Sequence, residues 1–264
     1  MHFELNYQQT WLHLLHPVLK FIIVLVLFIA ILFIHNPTIL LYLLIGFGVL
    51  YIGWTGHSLK LISLLSIPFF IIFVSSATSM MFFGEGNTTW YQFGLIHITE
   101  ESFYRGLHLG FRGILFGLLG LLFALTTRPV LLFYSSMQSL KLNPKYAYAF
   151  MAAINLLPIM VSEFQNLRNA LKVRGVTYDR GVKGFYQRIQ RFSIPLLAQS
   201  IRRAHRTAIA MEAKQFSNDR TYYYQVSYSL KDLYFITLIV TIIVFSIWLS
   251  TIYPVFPVDN VRMD

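Results

Sequence analysis

Long apolar runs separated by short polar turns set the pattern of this chain. Five of them, Phe21 to Ile34, Ile39 to Trp54, Leu61 to Phe83, Gly106 to Leu125 and Leu233 to Tyr253, approach the ~20 residues that cross a bilayer as a helix. A shorter run, Tyr146 to Val161, is broken by Pro158, a residue that ends or kinks helices. Between that run and the last span the period changes. Phe164, Leu167, Leu171 and Arg174 recur at three, four, three, with Gly175 where a left-handed helix cap would sit. From Pro195 onward Leu197, Ile201, Ala204, Ala208 and Met211 recur at four, three, four, three, with Arg202, Arg203, Arg206 and Glu212 off the seam. Two successive amphipathic helices are predicted, each ending near a basic residue and carrying small residues that would let them cross closely. Open sheets are excluded within lipid because their edge groups find no partners there. The predicted fold is therefore an all-α integral membrane protein with five to six transmembrane helices and two long cytoplasmic amphipathic helices.

Composition agrees, with 56% hydrophobic and 12% charged residues, far from the balance of a soluble domain. Charge fixes the expected orientation. Of 21 Lys and Arg, 13 fall between Glu163 and Asp232, while Gly84 to Tyr104 holds almost no basic residue. With Lys141 and Lys145, this marks the basic stretch as cytoplasmic. Counting back gives a cytoplasmic N-terminus, an outer loop at Gly84 to Arg105 and an outer C-terminus, provided residues 130–161 do not cross an odd number of times. The first run lacks a small-x-small cleavage site and is expected to be a retained span. The expected divisions are residues 1–129 (N-terminal transmembrane helices), 130–232 (a membrane-associated segment and cytoplasmic helices) and 233–264 (a last span and tail).

Reactive constellations are scarce. The chain has no cysteine, hence no thiol nucleophile, disulfide or thiolate metal site. His13 and His16 form a close pair without a carboxylate partner motif and are expected to be structural. No Walker loop is present, so ATP binding by such a site is not expected, and Glu100 and Glu101 fit a solvated first turn of a helix. A nucleic-acid role for the basic stretch is disfavoured because topology and anionic lipid explain the same charge. The fourth run carries Gly106, Gly110, Gly113, Gly117 and Gly120, a seam for close helix packing expected to be used within the chain. His108 and Arg112 beside it are expected to make structural polar contacts. The paired broken helices of a secondary transporter are not apparent.

Several motifs resemble one family, the transmembrane T component of energy-coupling factor transporters, the group that includes the cobalt permease CbiQ. HPVLK (His16 to Lys20) is similar to its D-P-x-x-K start of the first span, with His16 in place of the acid. GLHLGFRG and LTTRP (Leu125 to Pro129) resemble its arginine-bearing span and T-T-x-P exit, and INLLPIMVSEF, NALKVRG and IPLLAQSIRRAHRTAIAMEAKQF follow the order of its two motif-bearing coupling helices. The resemblance implies a non-catalytic subunit without cofactor, in a bacterial or archaeal cell (inner) membrane. Its partners would be two cytosolic ABC ATPases, non-identical ones included, and an S subunit that captures a vitamin or metal ion. It further implies that the ATPases dock on two A-R-G motifs, here Val173-Arg174-Gly175 and Ala213-Lys214-Gln215. Leu197, Ile201, Ala204, Ala208 and Met211 would form the helix crossing or the S-subunit platform. The second motif departs from the pattern. Lysine lacks arginine's planar fork, and Gln215 lacks glycine's easy access to a left-handed cap, so the second tip is expected to be weaker or differently shaped. A membrane-embedded lipid-modifying enzyme and a stand-alone secondary carrier are the alternatives.

Overall fold

A computed structural model of the chain describes residues 8–84, 86, 88–93, 96–217, 222, 224–258 and 261. Its helices are α1 (Pro17–Phe33), α2 (Pro37–Trp54), α3 (Leu59–Phe83), α4 (Glu100–Thr126), α5 (Pro129–Ser139), α6 (Pro144–Val173), α7 (Gly181–Ala213) and α8 (Leu230–Ile252). The predicted all-α membrane class is what the chain adopts. Five helices, α2, α3, α4, α6 and α8, are long and apolar enough to cross a membrane, and α1 is a shorter apolar helix. The segment between α3 and α4 holds a small exception, an antiparallel pair of strands, β1 (Thr89–Phe93) and β2 (Ile96–Thr99).

Two of the expected helix limits need correction. Pro158 does not break its helix: α6 runs through it, joining the Tyr146 to Val161 piece and the Phe164 to Arg174 stripe into one rod. Likewise α7 starts at Gly181 and Pro195 lies inside it. Proline removes one N–H and crowds the preceding turn, but the turns on either side keep their own bonds. Pro68 inside α3 is a third case.

The chain divides into two compact units, residues 1–132 with 226–264, and residues 133–225. In the first, α4 packs against α1, α2 and α3, and α8 packs on α2. Leu40, Leu43 and Phe47 of α2, Leu115 and Leu119 of α4, and Phe235 of α8 form the buried centre. The glycine seam brings α3 and α4 together as expected at three of its five positions. A Cβ at Gly106 would strike the Ala77 carbonyl, and at Gly110 or Gly117 the rings of Phe73 or Phe69, whereas Gly113 and Gly120 have room. The outward face of α3 exposes Leu64, Ile67, Phe70 and Ile71, tolerable only because lipid is the solvent there.

Each end of this unit is tied by buried polar contacts. At one end Lys20, 1% exposed, donates through Nζ to the Leu12 carbonyl (2.7 Å), the Thr126 carbonyl (2.9 Å) and Thr126 Oγ1 (3.2 Å). Asp232 accepts from the backbone N–H groups of His16 and Ser229, both at 2.8 Å, and its charge attracts the Lys20 ammonium. The HPVLK motif, the LTTRP exit and the start of α8 thus meet in one network, and an acid absent at position 16 is present at 232. The His16 ring stacks on Tyr228 with centroids 4.2 Å apart. Burial holds its pKa below the usual histidine value, against the pull of Asp232.

At the other end the carbonyl of Ile34, the C-cap of α1, accepts from Arg112 (3.0 Å) and from His108 Nε2 (3.1 Å). A cation at a helix C-terminus is favoured by the dipole, which accounts for an arginine inside a span. Both residues therefore have the structural contacts expected of them. Glu100 and Glu101 occupy the first turn of α4 behind the N-cap Thr99, whose Oγ1 accepts from the Ser102 N–H at 3.2 Å.

Candidate functional site

The second unit contains both sequence-predicted tips, at the C-terminal ends of α6 and α7. A helix leaves its last carbonyls without intrahelical partners, and a residue in the left-handed region lets two following N–H groups turn back to them. Gly175, with φ +67°, does this for α6. Its N–H donates to the Lys172 carbonyl (3.1 Å), and that of Val176 to the Leu171 carbonyl (3.1 Å). The same pair of bonds ends α7. The Gln215 N–H donates to the Glu212 carbonyl (2.9 Å) and that of Phe216 to the Met211 carbonyl (3.0 Å), with Gln215 at φ +54°. Both are complete Schellman caps, and each carries an apolar pair at the expected places, Leu171 with Val176 and Met211 with Phe216. The expectation of a differently shaped second tip therefore needs correction at the backbone: Gln215 adopts the glycine conformation despite its Cβ.

Arg174 and Lys214 are the C-cap residues of their helices. Both are exposed, and among the described residues neither side chain has an ion pair or hydrogen bond. Each cation lies beside free carbonyls at the negative end of a helix dipole. Val173, the residue before Arg174, is 88% exposed, and Ala213 stands in the equivalent place, also exposed. Each tip is thus a small apolar residue, a cation and a left-handed stop, displayed to solvent.

The two helices meet some distance before these ends. Arg203 of α7 donates to Glu163 of α6 in a partly buried ion pair. Ser200 lies against Met160 (3.8 Å), and the rings of Phe164 and Phe192 are 5.0 Å apart. Arg174 lies eleven residues beyond Glu163, and Lys214 eleven beyond Arg203. At 1.5 Å per residue each arm extends about 16 Å from the shared ion pair. Two arms of equal length therefore leave one pivot.

The apolar seam of α7 has a different place from the one expected for a crossing. Leu197 and Ile201 are 61% and 67% exposed, Ala204 and Ala208 are also exposed, and Met211 is half-buried beside its cap. The face turned to α6 carries Phe192, Ser200 and Arg203 instead. Heptad spacing identified the stripe but could not tell which stripe faces the neighbouring helix, because a polar face with one good ion pair also makes a contact. The pivot pair was the missed feature. Its signal was the constant separation of forty residues that relates Met160 to Ser200, Glu163 to Arg203, Arg174 to Lys214 and Gly175 to Gln215.

Among the described residues no group of three His, Cys, Asp or Glu side chains is placed to hold a metal ion. Comparison with known proteins agrees with the motifs. The profile of the cobalt transport protein family, CbiQ, matches residues 8–224. The energy-coupling factor transporter transmembrane protein EcfT of Streptococcus equi is 28% identical over 89% of this chain and 90% of its own length. Its namesake in Streptococcus thermophilus is 28% identical over 85% and 88%, and that of Thermotoga maritima 25% identical over 78% and 77%.

Proposed function

The chain belongs to the CbiQ family and is a multi-pass transmembrane component of the energy-coupling factor type, and from that premise we propose that it couples partner ATPases to uptake through its two helix tips. In this reading Arg174 and Lys214, with Val173, Gly175, Ala213 and Gln215, dock two ABC ATPases on the cytoplasmic side. The exposed stripe of Leu197, Ile201, Ala204 and Ala208 supports an S subunit that carries a vitamin or metal ion. The chain itself is non-catalytic. The observation that carries the reading is the pair of equal arms, each ending in the same cap with an exposed, unpaired cation. ATPase motion delivered at either tip would be transmitted along a helix to the common pivot.

Orientation follows from the basic residues. Arg128, Lys141 and Lys145 precede the apolar half of α6, and Arg168, Lys172 and Arg174 follow it. With positive charge at both ends, α6 lies along the cytoplasmic surface rather than crossing, which keeps both tips on the side of the ATP pool.

Lys214 offers a point charge where Arg174 offers a planar fork suited to two parallel bonds with a carboxylate. The corresponding hypothesis is that the two ATPases differ, and a purified complex with one ATPase type at both positions would count against it. The primary test is Arg174→Glu. It should abolish co-purification of ATPase and ATP-driven uptake while leaving membrane insertion intact, and normal assembly and uptake would overturn the assignment. Turnover of a lipid by the purified chain, or substrate transport in liposomes containing this chain alone, would favour an enzyme or a stand-alone carrier instead.

A further inference from the structure

A second site lies in the first unit, between α2 and α3. These helices diverge over the floor made by Leu118 of α4 and leave a cleft of about 600 Å³. Its walls are mostly hydrocarbon, including Leu44 and Ile52 of α2 and Ile62 of α3. The hydroxyls inside it are engaged by neighbouring backbone: Ser63 donates to the Lys60 carbonyl (3.0 Å), and Ser66 to the Ile62 carbonyl (2.8 Å). Below the rim, therefore, nothing demands a polar ligand. Gly48 opens the wall further. A Cβ there would meet no atom within 4 Å, whereas two residues away, at Gly46 on the other side of α2, it would overlap Ile242 of α8.

The rim has the opposite character. Lys60 is exposed and is the second residue of α3, where the helix dipole adds positive potential. No carboxylate lines the cleft among the described residues. Its lining spans residues 44 to 52 of α2 and 59 to 66 of α3, which is about 10–12 Å of helix. That depth fits one leaflet of a hydrocarbon core ~30 Å thick and is too short to seat a helix crossing the whole membrane. The rim is also at the end of the unit that holds Lys20 and the start of α8, the end the basic residues assign to the cytoplasm, where the leaflet is anionic.

We propose that this cleft holds an acyl chain of an anionic phospholipid of the inner leaflet, with the lipid phosphate on Lys60 at the start of α3. The charge and the hydrocarbon are arranged in the order an amphiphile requires, and basic pockets between transmembrane helices on the cytoplasmic side are known to take such headgroups.

The test uses the full chain, delipidated in detergent and exposed to equal amounts of phosphatidylglycerol and phosphatidylcholine with the same acyl chains, with retained lipid counted by native mass spectrometry. Wild type should favour phosphatidylglycerol. Lys60→Ala should lower the retained ratio about fivefold, the worth of one basic residue at an anionic surface, while Lys141→Ala should leave it closer to wild type. Gly48→Phe obstructs the cleft and should remove one retained lipid whichever headgroup it bears, with Gly48→Leu as the milder form. Equal retention of the two lipids by wild type, or an unchanged ratio in Lys60→Ala, would overturn the proposal. So would displacement by glycerol phosphate, which lacks the chain. Loss of a partner subunit with lipid retention intact in Gly48→Phe would also overturn it, by showing that a partner occupies the cleft. Because lipid retention is read without ATPase, this outcome is independent of tip docking.

Discussion

Reciprocal exchange of the two cap residues measures what the second tip has lost by carrying glutamine. Gly175 and Gln215 occupy the same position with φ +67° and +54°. An L-residue in the left-handed region is disfavoured by ~1–2 kcal/mol. Part of that is offset because a glycine-to-larger change reduces the freedom of the unfolded chain by about 0.4–1 kcal/mol. The net cost of glutamine at the cap is therefore about 1 kcal/mol, or about a fivefold change in a local equilibrium. Neither exchange creates a packing clash at the first tip, since a Cβ at Gly175 meets no atom within 4 Å.

The amides that close the caps report on this directly. Val176 donates to Leu171 and Phe216 to Met211, so each amide is protected only while its cap is closed. Hydrogen exchange at these positions follows local opening. Gly175→Gln should speed exchange at Val176 about fivefold, and Gln215→Gly should slow exchange at Phe216 by a similar factor. The measurement needs residue-resolved exchange on the chain in detergent or nanodiscs. Changes of the same sign at both tips, or no change at Val176 in Gly175→Gln, would refute the cap argument and return the tips to ordinary frayed ends.

Three further outcomes are expected. Lys20→Met leaves the Leu12 and Thr126 carbonyls without their buried donor, and should cost about 1–3 kcal/mol for each carbonyl left unsatisfied, read as a fall in thermal unfolding temperature in detergent. Gly117→Leu would drive a side chain into Phe69 and should destabilise by about 1–3 kcal/mol, whereas Gly120→Ala, with open space around it, should stay within about 0.5 kcal/mol of wild type. Glu163→Gln weakens the pivot pair and should broaden the distance distribution between spin labels placed beside the two tips. Glu163→Arg with Arg203→Glu should narrow it again, and a distribution indifferent to all three substitutions would remove the pair from the role of pivot.

The spans were readable because lipid admits few solutions: an apolar run of sufficient length without polar interruption has to be a helix. Their limits were less readable. The first helix begins at Pro17 rather than Phe21, because proline suits a first helical position and because the buried Lys20 is held by the Leu12 carbonyl eight residues before it and by the Thr126 carbonyl 106 residues after it. Pro158 and Pro195 misled in the other direction, since a proline is a strong local signal while the turns that carry the helix past it are not visible in one residue. The first cap was legible from Gly175 alone. The second was not, since glutamine is a poor left-handed residue, and only the apolar pair Met211 and Phe216 five positions apart marks it. The exposed seam of α7 shows the remaining gap: periodicity establishes that a stripe exists, and packing decides what it faces.

Equal backbone geometry changes where the difference between the tips must lie. Both caps close with the same two bonds, both cations sit at the C-cap, and both arms measure eleven residues from the ion pair. A partner approaching either end meets the same frame. What differs is the hydrogen-bonding pattern of the cation and the stability of the stop behind it. Arg174 is held by a glycine cap without strain and offers two parallel donors, while Lys214 sits before a strained residue and offers a point charge on a flexible stem. The first combination favours a fixed carboxylate in one orientation. The second tolerates a partner group whose position varies, and its weaker cap lets the last turn open more often. An asymmetry in docking, if measured, is therefore to be sought in side-chain chemistry and local opening, and the reciprocal exchange at positions 175 and 215 separates the two, since it alters the opening and leaves both cations unchanged.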